Sequence, residues 1–214
     1  MEIFKTFLML SSLLIGFNAF SQKVIEVKSK TGRIWMDRNL GAKSLPINTN
    51  DDKGYGDLYQ WGRGADGHQL RTSYLRIGYP GRNNNFILAK KYPHEWLSPK
   101  NNNAWKGLKG DNNPCPAGFR LPTIKEWQLE EQLMDGLDMK NAFESALKLT
   151  PAGTRSHIDG GINWVGFSGY YWSSSLDENI GSDETPMVFV FHTDNSGSRN
   201  NFRAVGNSVR CIKN

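Results

Sequence analysis

Two cysteines constrain how this chain of 214 residues can fold. Cys115 lies between two prolines in the segment NPCPAGFRLPT (residues 113–123), and Cys211 follows 96 positions later. In an oxidising compartment, pairing of two such thiols is the default expectation. The bridge would join the start of the first predicted helix to the last predicted strand. A reactive thiol and a metal ligand are the alternatives, but there is no CxxC spacing and a zinc site would need distant histidines.

The first 21 residues have the pattern of a secretory signal peptide. Lys5 precedes an apolar run over residues 7–17, and Ala19 and Ser21 are small residues at the positions that a signal peptidase recognises. We expect cleavage after Ser21, which leaves residues 22–214 as a single domain of a secreted or cell-surface protein. A transmembrane anchor is the alternative, but the run is shorter than the roughly 20 apolar residues that span a bilayer.

The net charge of +5 is divided unevenly along the chain. Residues 28–109 contain 15 Lys and Arg against 6 Asp and Glu, whereas residues 110–214 contain 9 against 13. A basic half attracts acidic glycans, anionic lipids or nucleic acid. Because no run of positive charge is longer than Lys90-Lys91, interleaving of the charges in one domain is favoured. No nucleic-acid-binding module is visible, and we do not expect nucleic acid as a partner.

The residue pattern predicts an α+β fold with short, mostly antiparallel strands, two helices and long loops. Strands are predicted at residues 24–27, 33–36, 58–61, 164–167, 170–173, 187–191 and 208–212. The first two flank a turn at residues 30–32 and form a hairpin. Residues 62–113 are rich in Gly, Pro and Asn, so they are predicted to be a long loop of the kind that often carries function.

Two helices are predicted from capping and periodicity. Thr123 and Glu126 form a capping box, which starts the first helix, and this helix continues to about Met134. It is apolar on two sides, so we expect it to be well buried, with Trp127 in the core. The second helix covers residues 139–149 and has a single apolar face.

No catalytic or cofactor-binding motif is complete. The segment GRGADG (62–67) matches GxGxxG but precedes no helical pattern, and GFSG (166–169) is followed by tyrosine where a nucleophile elbow has glycine. The four histidines occur singly, without HxH or HExxH. Acidic groups at residues 51–57 and 183–194 do not follow EF-hand spacing. We therefore expect neither a cofactor nor a metal site.

Five segments of the chain occur in the order of a known family. They are IWMDRNLG (34–41), YGDLYQWGR (55–63), NPCPAGFRLPT (113–123), YWSSS (171–175) and SVRCIK (208–213). Together they resemble the Fibrobacter succinogenes major paralogous domain, which is common in exported proteins of Bacteroidetes-type bacteria. The resemblance implies a fold similar to C-type lectins and formylglycine-generating enzymes, with long variable loops. Such a fold analogy does not by itself assign an activity.

The sequence favours a noncatalytic binding module, secreted or at the cell surface, whose ligand is a glycan or a surface protein. Aromatic faces stack on sugar rings, and Asn, Asp and Arg side chains hydrogen-bond sugar hydroxyls. The polar segments after Trp172 form the predicted binding surface, although a core position is favoured for Trp172 itself. The candidate ligand-binding residues are Trp172, Asp177, Glu178, Asn179, Arg199, Asn200, Asn201 and Arg203.

Two other functions remain open. Formylglycine-generating enzymes use a pair of cysteines together in the active site, and a disulfide between Cys115 and Cys211 would exclude that chemistry. The chain could instead be a packing subunit of a larger cell-surface assembly. The Glu-Pro-Asn, Gln-Pro-Asp and Trp-Asn-Asp signatures of calcium-dependent lectins are absent, so the resemblance does not imply sugar binding through calcium.

Overall fold

The structure, a computed structural model, describes residues 24–78, 84–177 and 185–214. Within these ranges the chain forms an α+β fold with mostly antiparallel strands in several small sheets and two helices, which confirms the predicted fold class at that level. The predicted signal peptide, residues 1–21, lies outside the described residues. No helix in the described ranges has the length and apolar character needed to cross a membrane.

The regular elements are short, as expected where turn-forming residues are frequent. In chain order they are β1 (Glu26–Lys28), β2 (Ile34–Met36), β3 (Tyr59–Gln60), β4 (Leu75–Ile77), β5 (Phe86–Leu88), β6 (Phe119–Arg120), α1 (Ile124–Gln132), α2 (Met139–Glu144), β7 (Thr154–Arg155), β8 (Ile162–Asn163), β9 (Gly169–Asp177), β10 (Thr185–Phe191), β11 (Ser196–Asn200), β12 (Gly206–Asn207) and β13 (Ile212–Lys213).

One sheet, in the order β1-β2-β13-β6, brings distant parts of the chain together. Strands β1 and β2 form the predicted hairpin. Ile212 of β13 pairs with Trp35 of β2 on one side and with Arg120 of β6 on the other. The segment that contains Cys211 therefore lies beside the segment that follows Cys115. The two sulfur atoms are bonded at 2.09 Å, which confirms the predicted disulfide.

Three further sheets complete the described fold. Strands β9, β10 and β11 form an antiparallel sheet in the order β11-β10-β9, and helix α1 packs against it. Strands β3, β12, β7 and β8 form a second sheet. Strands β4 and β5 pair in parallel within residues 62–113, the region that was predicted to be a long loop. That region therefore contains more regular structure than its composition predicts.

Helix α1 begins as predicted but is buried on one side only. The Thr123 hydroxyl accepts from the Glu126 amide at 3.2 Å, and the Glu126 carboxylate accepts from the Thr123 amide at 2.8 Å. Trp127 lies in the core, as expected. Leu129 and Leu133, on the second apolar side, are 53% and 46% exposed. The prediction of burial on both sides is wrong, because the β9–β11 sheet packs against the Trp127 side.

Helix α2 is shorter than predicted. It ends at Glu144 because Ser145 has extended backbone angles, with φ −59° and ψ 163°. Lys148 then has a left-handed φ of 49°. Leu147 lies in the turn between Ser145 and Lys148 and is buried. The apolar periodicity over residues 139–149 therefore continues from the helix into a turn that also packs in the core.

Tryptophan side chains form much of the core. Each of the six buried indoles has a hydrogen-bond acceptor for its N–H group, and this requirement fixes the position of the ring. For example, Trp172 Nε1 donates to the carbonyl of Tyr59 at 2.7 Å, and Trp127 Nε1 donates to the carbonyl of Trp172 at 3.2 Å. The six buried indoles are those of Trp35, Trp61, Trp96, Trp105, Trp127 and Trp172.

Arg210 is fully buried and joins separate segments of the chain. Its guanidinium donates to Asn39 Oδ1 from Nε at 3.2 Å and from Nη2 at 2.8 Å, and Nη1 donates to the carbonyl of Leu147. Weaker contacts at 3.4 Å reach the carbonyls of Met36 and Asp37. Burial lowers the pKa of Arg210 to about 10, so the side chain remains protonated at neutral pH.

His68 is buried in its neutral form. Its Nδ1 lies 2.6 Å from Asp66 Oδ1, and its Nε2 accepts from the amide of Gln60 at 3.0 Å. A second proton on Nε2 would face that amide N–H, so two donors would oppose each other. Burial is the largest cause that lowers the pKa of His68, to about 4.

We expect the protein to lose stability as the pH falls from about 6.5 towards 4. The unfolded chain binds a proton at His68 near pH 6.5, whereas the folded chain resists it until about pH 4, so the stabilisation is complete above 6.5 and is lost below. For His68 alone the full loss is about 3 kcal/mol in the free energy of unfolding. Urea unfolding at pH 7 and pH 5 measures it. His68→Gln should show a shallower pH dependence, and an unchanged one would contradict this assignment.

Candidate functional site

A cleft of about 680 Å³ lies where the turn at residues 164–168 meets the segment 192–195, which joins β10 to β11. One side is aromatic and the other is polar. Aromatic surface next to a few hydrogen-bonding groups is the usual composition of a small-molecule site. The residues that define it are Trp164, Phe167, Tyr170, His192, Asp194 and Arg199.

The aromatic side is formed by a tight turn. The carbonyl of Trp164 accepts from the amides of Phe167 at 3.1 Å and Ser168 at 3.0 Å. Trp164 has φ 62° and Gly166 has φ 80°. A left-handed backbone is easy for glycine and costly for a bulky residue, and such strain often marks functional positions. The predicted strand at residues 164–167 is wrong, because these hydrogen bonds are local rather than between strands.

The turn exposes two large aromatic side chains. Trp164 is 60% exposed and Phe167 is 63% exposed. Of the seven tryptophans, all of which lie in the described ranges, the other six are at most 6% exposed. The exposure of Trp164 therefore sets it apart from the tryptophans that build the core.

His192 connects Ser168 and Arg199 within the cleft. Its Nδ1 lies 2.6 Å from the Ser168 hydroxyl oxygen, and its Nε2 lies 2.5 Å from Arg199 Nη2. Because a guanidinium only donates, Nε2 is the acceptor, and Nδ1 of the neutral ring donates to the serine. Burial and the positive charge of Arg199 lower the pKa of His192, which favours this neutral form.

This arrangement does not suit a nucleophilic serine. A general base must accept the serine proton, but Nδ1 of His192 already carries a proton and Nε2 already accepts from Arg199. Ser168 is also buried, with 2% exposure. The contact between Ser168 and His192 holds the wall of the cleft in place.

Arg199 projects from β11 and is exposed. Its guanidinium carbon lies 5.7 Å from the centroid of the Tyr170 ring, within the range of a cation–π contact. No acidic residue among those described forms an ion pair with Arg199. His192 and Tyr170 therefore hold a guanidinium that remains exposed.

A second depression of about 320 Å³ adjoins the cleft. It shares Tyr170 and Arg199 with the cleft, and Asn163 and Asn201 contribute amide groups to its lining. His157 also lines it, and burial followed by the charge of His94 lowers the pKa of His157 to about 4. At neutral pH this imidazole is therefore uncharged.

Three of the eight predicted ligand-binding residues lie at these two clefts. Arg199 lines both, and Asn200 and Asn201 line the second depression. Asp177, at the end of β9, accepts from Nδ2 of Asn200 at 2.9 Å, so it orients that amide. The structure thus brings together this part of the predicted surface.

Two other predicted residues lie in the interior. Trp172 has no exposed surface, and Arg203 is 5% exposed, with Nε 3.1 Å from a carboxylate oxygen of Glu95 and its guanidinium stacked on a buried indole. We remove both from the candidate site, because neither presents a surface to a ligand. Glu178 and Asn179 lie outside the described residues.

The aromatic residues of the cleft are absent from the site predicted from the sequence. Trp164 and Phe167 were placed in a strand, and Tyr170 and His192 were not selected. The glycines at positions 166 and 169 were the available signal, since two glycines so close together favour a turn over a continuous strand.

The clefts offer aromatic faces, amide groups and one exposed guanidinium. Within the described parts of the chain, no three His, Cys, Asp or Glu side chains converge so that they could hold a metal ion. In comparisons with known proteins, no family model matches this chain, and neither a curated protein nor a solved structure matches it.

Proposed function

We propose that this protein is a noncatalytic binding module, secreted or at the cell surface, and that its ligand is a glycan bound in the cleft beside Trp164. The observation that carries the proposal is the 60% exposure of Trp164 on a left-handed turn. A fold that buries its other six tryptophans holds this one in water. A sugar ring that stacks its apolar face on the Trp164 indole would account for this exposed position on a strained turn.

The polar groups of the cleft suit sugar hydroxyls. Arg199 donates, and the side chains of Asp194 and Asn195 supply carboxylate and amide groups at the same cleft. Sugars need both an apolar face and several hydrogen-bonding partners, because a ring has hydroxyls on its edge and C–H groups on its face. The cleft presents both.

The bonded cysteines support a noncatalytic role. A chemistry like that of formylglycine-generating enzymes needs two reactive thiols, whereas Cys115 and Cys211 are joined to each other. We keep the relation to the Fibrobacter succinogenes major paralogous domain, and the C-type-lectin-like fold, as part of the proposal. The two helices, the antiparallel sheets and the disulfide support it, and the disulfide also supports export to an oxidising compartment.

Replacing Trp164 with alanine should weaken glycan binding by about tenfold or more, since a central aromatic contact commonly contributes more than about 1.4 kcal/mol. A glycan array identifies the ligand, and titration calorimetry measures its affinity for each variant. Tyr74→Ala is the matched control, because Tyr74 is 81% exposed and does not line either cleft. Full affinity in Trp164→Ala, or silence across the array, would contradict the proposal.

Fluorescence quenching by iodide gives a second readout. The other six tryptophans are buried, so iodide reaches mainly Trp164. A saturating glycan should protect the emission from quenching, and Trp164→Ala should have little quenchable emission to protect. Quenching that does not change on binding would place the glycan elsewhere.

A further inference from the structure

The two clefts adjoin each other at Arg199. Tyr170 and Arg199 line both, and Asn163 lies in the second depression while Trp164 lies in the first. A ligand larger than one sugar ring would therefore cross the guanidinium as it passes from one cleft to the other.

The Arg199 guanidinium is already oriented before any ligand binds. Its strand β11 pairs with β10, where Arg199 lies opposite Val188. The guanidinium stacks on Tyr170 and donates to His192. Since much of its side-chain freedom is already lost, binding a ligand there costs less entropy than at a mobile arginine. A planar guanidinium matches a carboxylate or a sulfate better than it matches a neutral hydroxyl.

The charges around Arg199 favour an anion at the junction. The second depression is lined by no acidic residue among those described. In the first cleft the acidic residue is Asp194, whose carboxylate accepts from its neighbour Asn195 at 2.8 Å. Neutral His192 and His157 add no charge at pH 7, because the pKa of each is lowered. Arg199 therefore provides the positive charge that both clefts share.

We infer that the ligand is an acidic oligosaccharide that spans both clefts, with the carboxylate or sulfate of one ring bound by Arg199. The inference rests on the proposed glycan-binding function and adds its ligand class. Stacking on Trp164 holds one ring in the first cleft, and the amides of Asn163 and Asn201 bind a neighbouring ring in the second.

Matched polysaccharides test the charge. Polygalacturonate is compared with its methyl ester, and dextran sulfate is compared with dextran, so that the two acidic groups are examined separately. At least one acidic polymer should bind about tenfold or more tightly than its neutral counterpart, as expected for hydrogen bonds to a charged group. Equal affinity within both pairs, with binding still dependent on Trp164, overturns the acidic ligand and leaves the proposed function standing. If neither acidic polymer binds, the acidic ligand is overturned, whereas the proposed function fails only if the glycan array is silent or Trp164→Ala keeps full affinity.

Variants test the location of the charge. Arg199→Gln should abolish the preference for the acidic polymer, whereas Asp194→Asn should increase it by removing a like charge. Arg76→Gln removes one positive charge from an exposed position outside both clefts and is the matched control. An equal loss in Arg76→Gln and Arg199→Gln would show attraction to the overall charge, and would overturn the inference.

The length of the oligosaccharide tests whether the ligand spans both clefts. With oligomers of the preferred acidic polymer, a hexasaccharide should bind about tenfold or more tightly than a disaccharide. Asn163→Ala should weaken hexasaccharide binding without changing disaccharide binding, because the disaccharide does not fill both clefts. Equal affinities for the two lengths would show that the ligand occupies one cleft only.

Discussion

Replacing Arg210 with methionine should lower the free energy of unfolding by about 3–5 kcal/mol. The methionine would fill much of the space but could not donate to Asn39 or to the carbonyl of Leu147. Buried acceptors that lose their donor cost about 1–3 kcal/mol each, and removal of a buried charge offsets only part of that cost. Urea unfolding followed by far-ultraviolet circular dichroism measures the change.

Two controls separate the network from the loss of charge. Arg210→Lys keeps the charge but loses the planar guanidinium and its several N–H donors. It should therefore also destabilise the protein, though less than Arg210→Met does. Arg33→Met removes a half-exposed arginine that pairs with Glu126, and it should cost less than about 1 kcal/mol. A free energy of unfolding for Arg210→Met close to that of the wild type would show that the buried hydrogen bonds contribute no net stability.

Replacing both cysteines with alanine should lower the free energy of unfolding by about 4–5 kcal/mol. The bond closes a loop of 96 residues, and the open chain gains the corresponding conformational freedom when it unfolds. For a domain of this size, the midpoint of thermal unfolding should fall by about 10–20 °C. Thermal denaturation of the wild type and of the Cys115→Ala, Cys211→Ala double variant measures the shift.

Reduction of the wild type provides the control for the double variant. If the disulfide stabilises the protein by constraining the unfolded chain, wild-type protein in a strong reductant should unfold at about the same temperature as the double variant. Titration of thiols in the native protein should detect none without the reductant. Two titratable thiols, or a double variant as stable as the oxidised wild type, would contradict the stabilising role of the bond.

Features that depend on neighbours in sequence were predictable. The capping box needs only Thr123 and Glu126 three residues apart, and the structure forms it where predicted. The hairpin of β1 and β2 follows from a short turn between two apolar segments. The disulfide was predictable for a different reason: the signal-peptide pattern predicts an oxidising compartment, and two cysteines have only one possible pairing there.

Features that depend on what covers a side chain were not predictable. The apolar periodicity of α1 is the same on the side of Trp127 as on the side of Leu129, yet only the first packs against a sheet. Helix α2 ends before Leu147, although the apolar periodicity of the sequence continues past its end. The periodicity does not mark the helix end, because a turn can also place an apolar side chain in the core.

The candidate site shows the same division. Polar residues in the loop region after Trp172 were expected to bind a ligand, and Arg199, Asn200 and Asn201 do line the clefts. The aromatic residue among the candidates, Trp172, is buried, in agreement with the core position that the sequence favoured for it. Trp172 and Trp164 are equally apolar in the sequence, and only the fold shows which one reaches water.

The sequence by itself determined the α+β class, the covalent pair and the start of the first helix, because each depends on residue type, local spacing or a single possible pairing. Tertiary structure decided which tryptophan is exposed and which arginine is buried, as the contrast between Arg199 and Arg210 shows. Burial is a property of the elements that meet around a side chain, and those elements come from distant parts of the chain. For that reason the cleft and the position of its charge could be identified only from the tertiary structure.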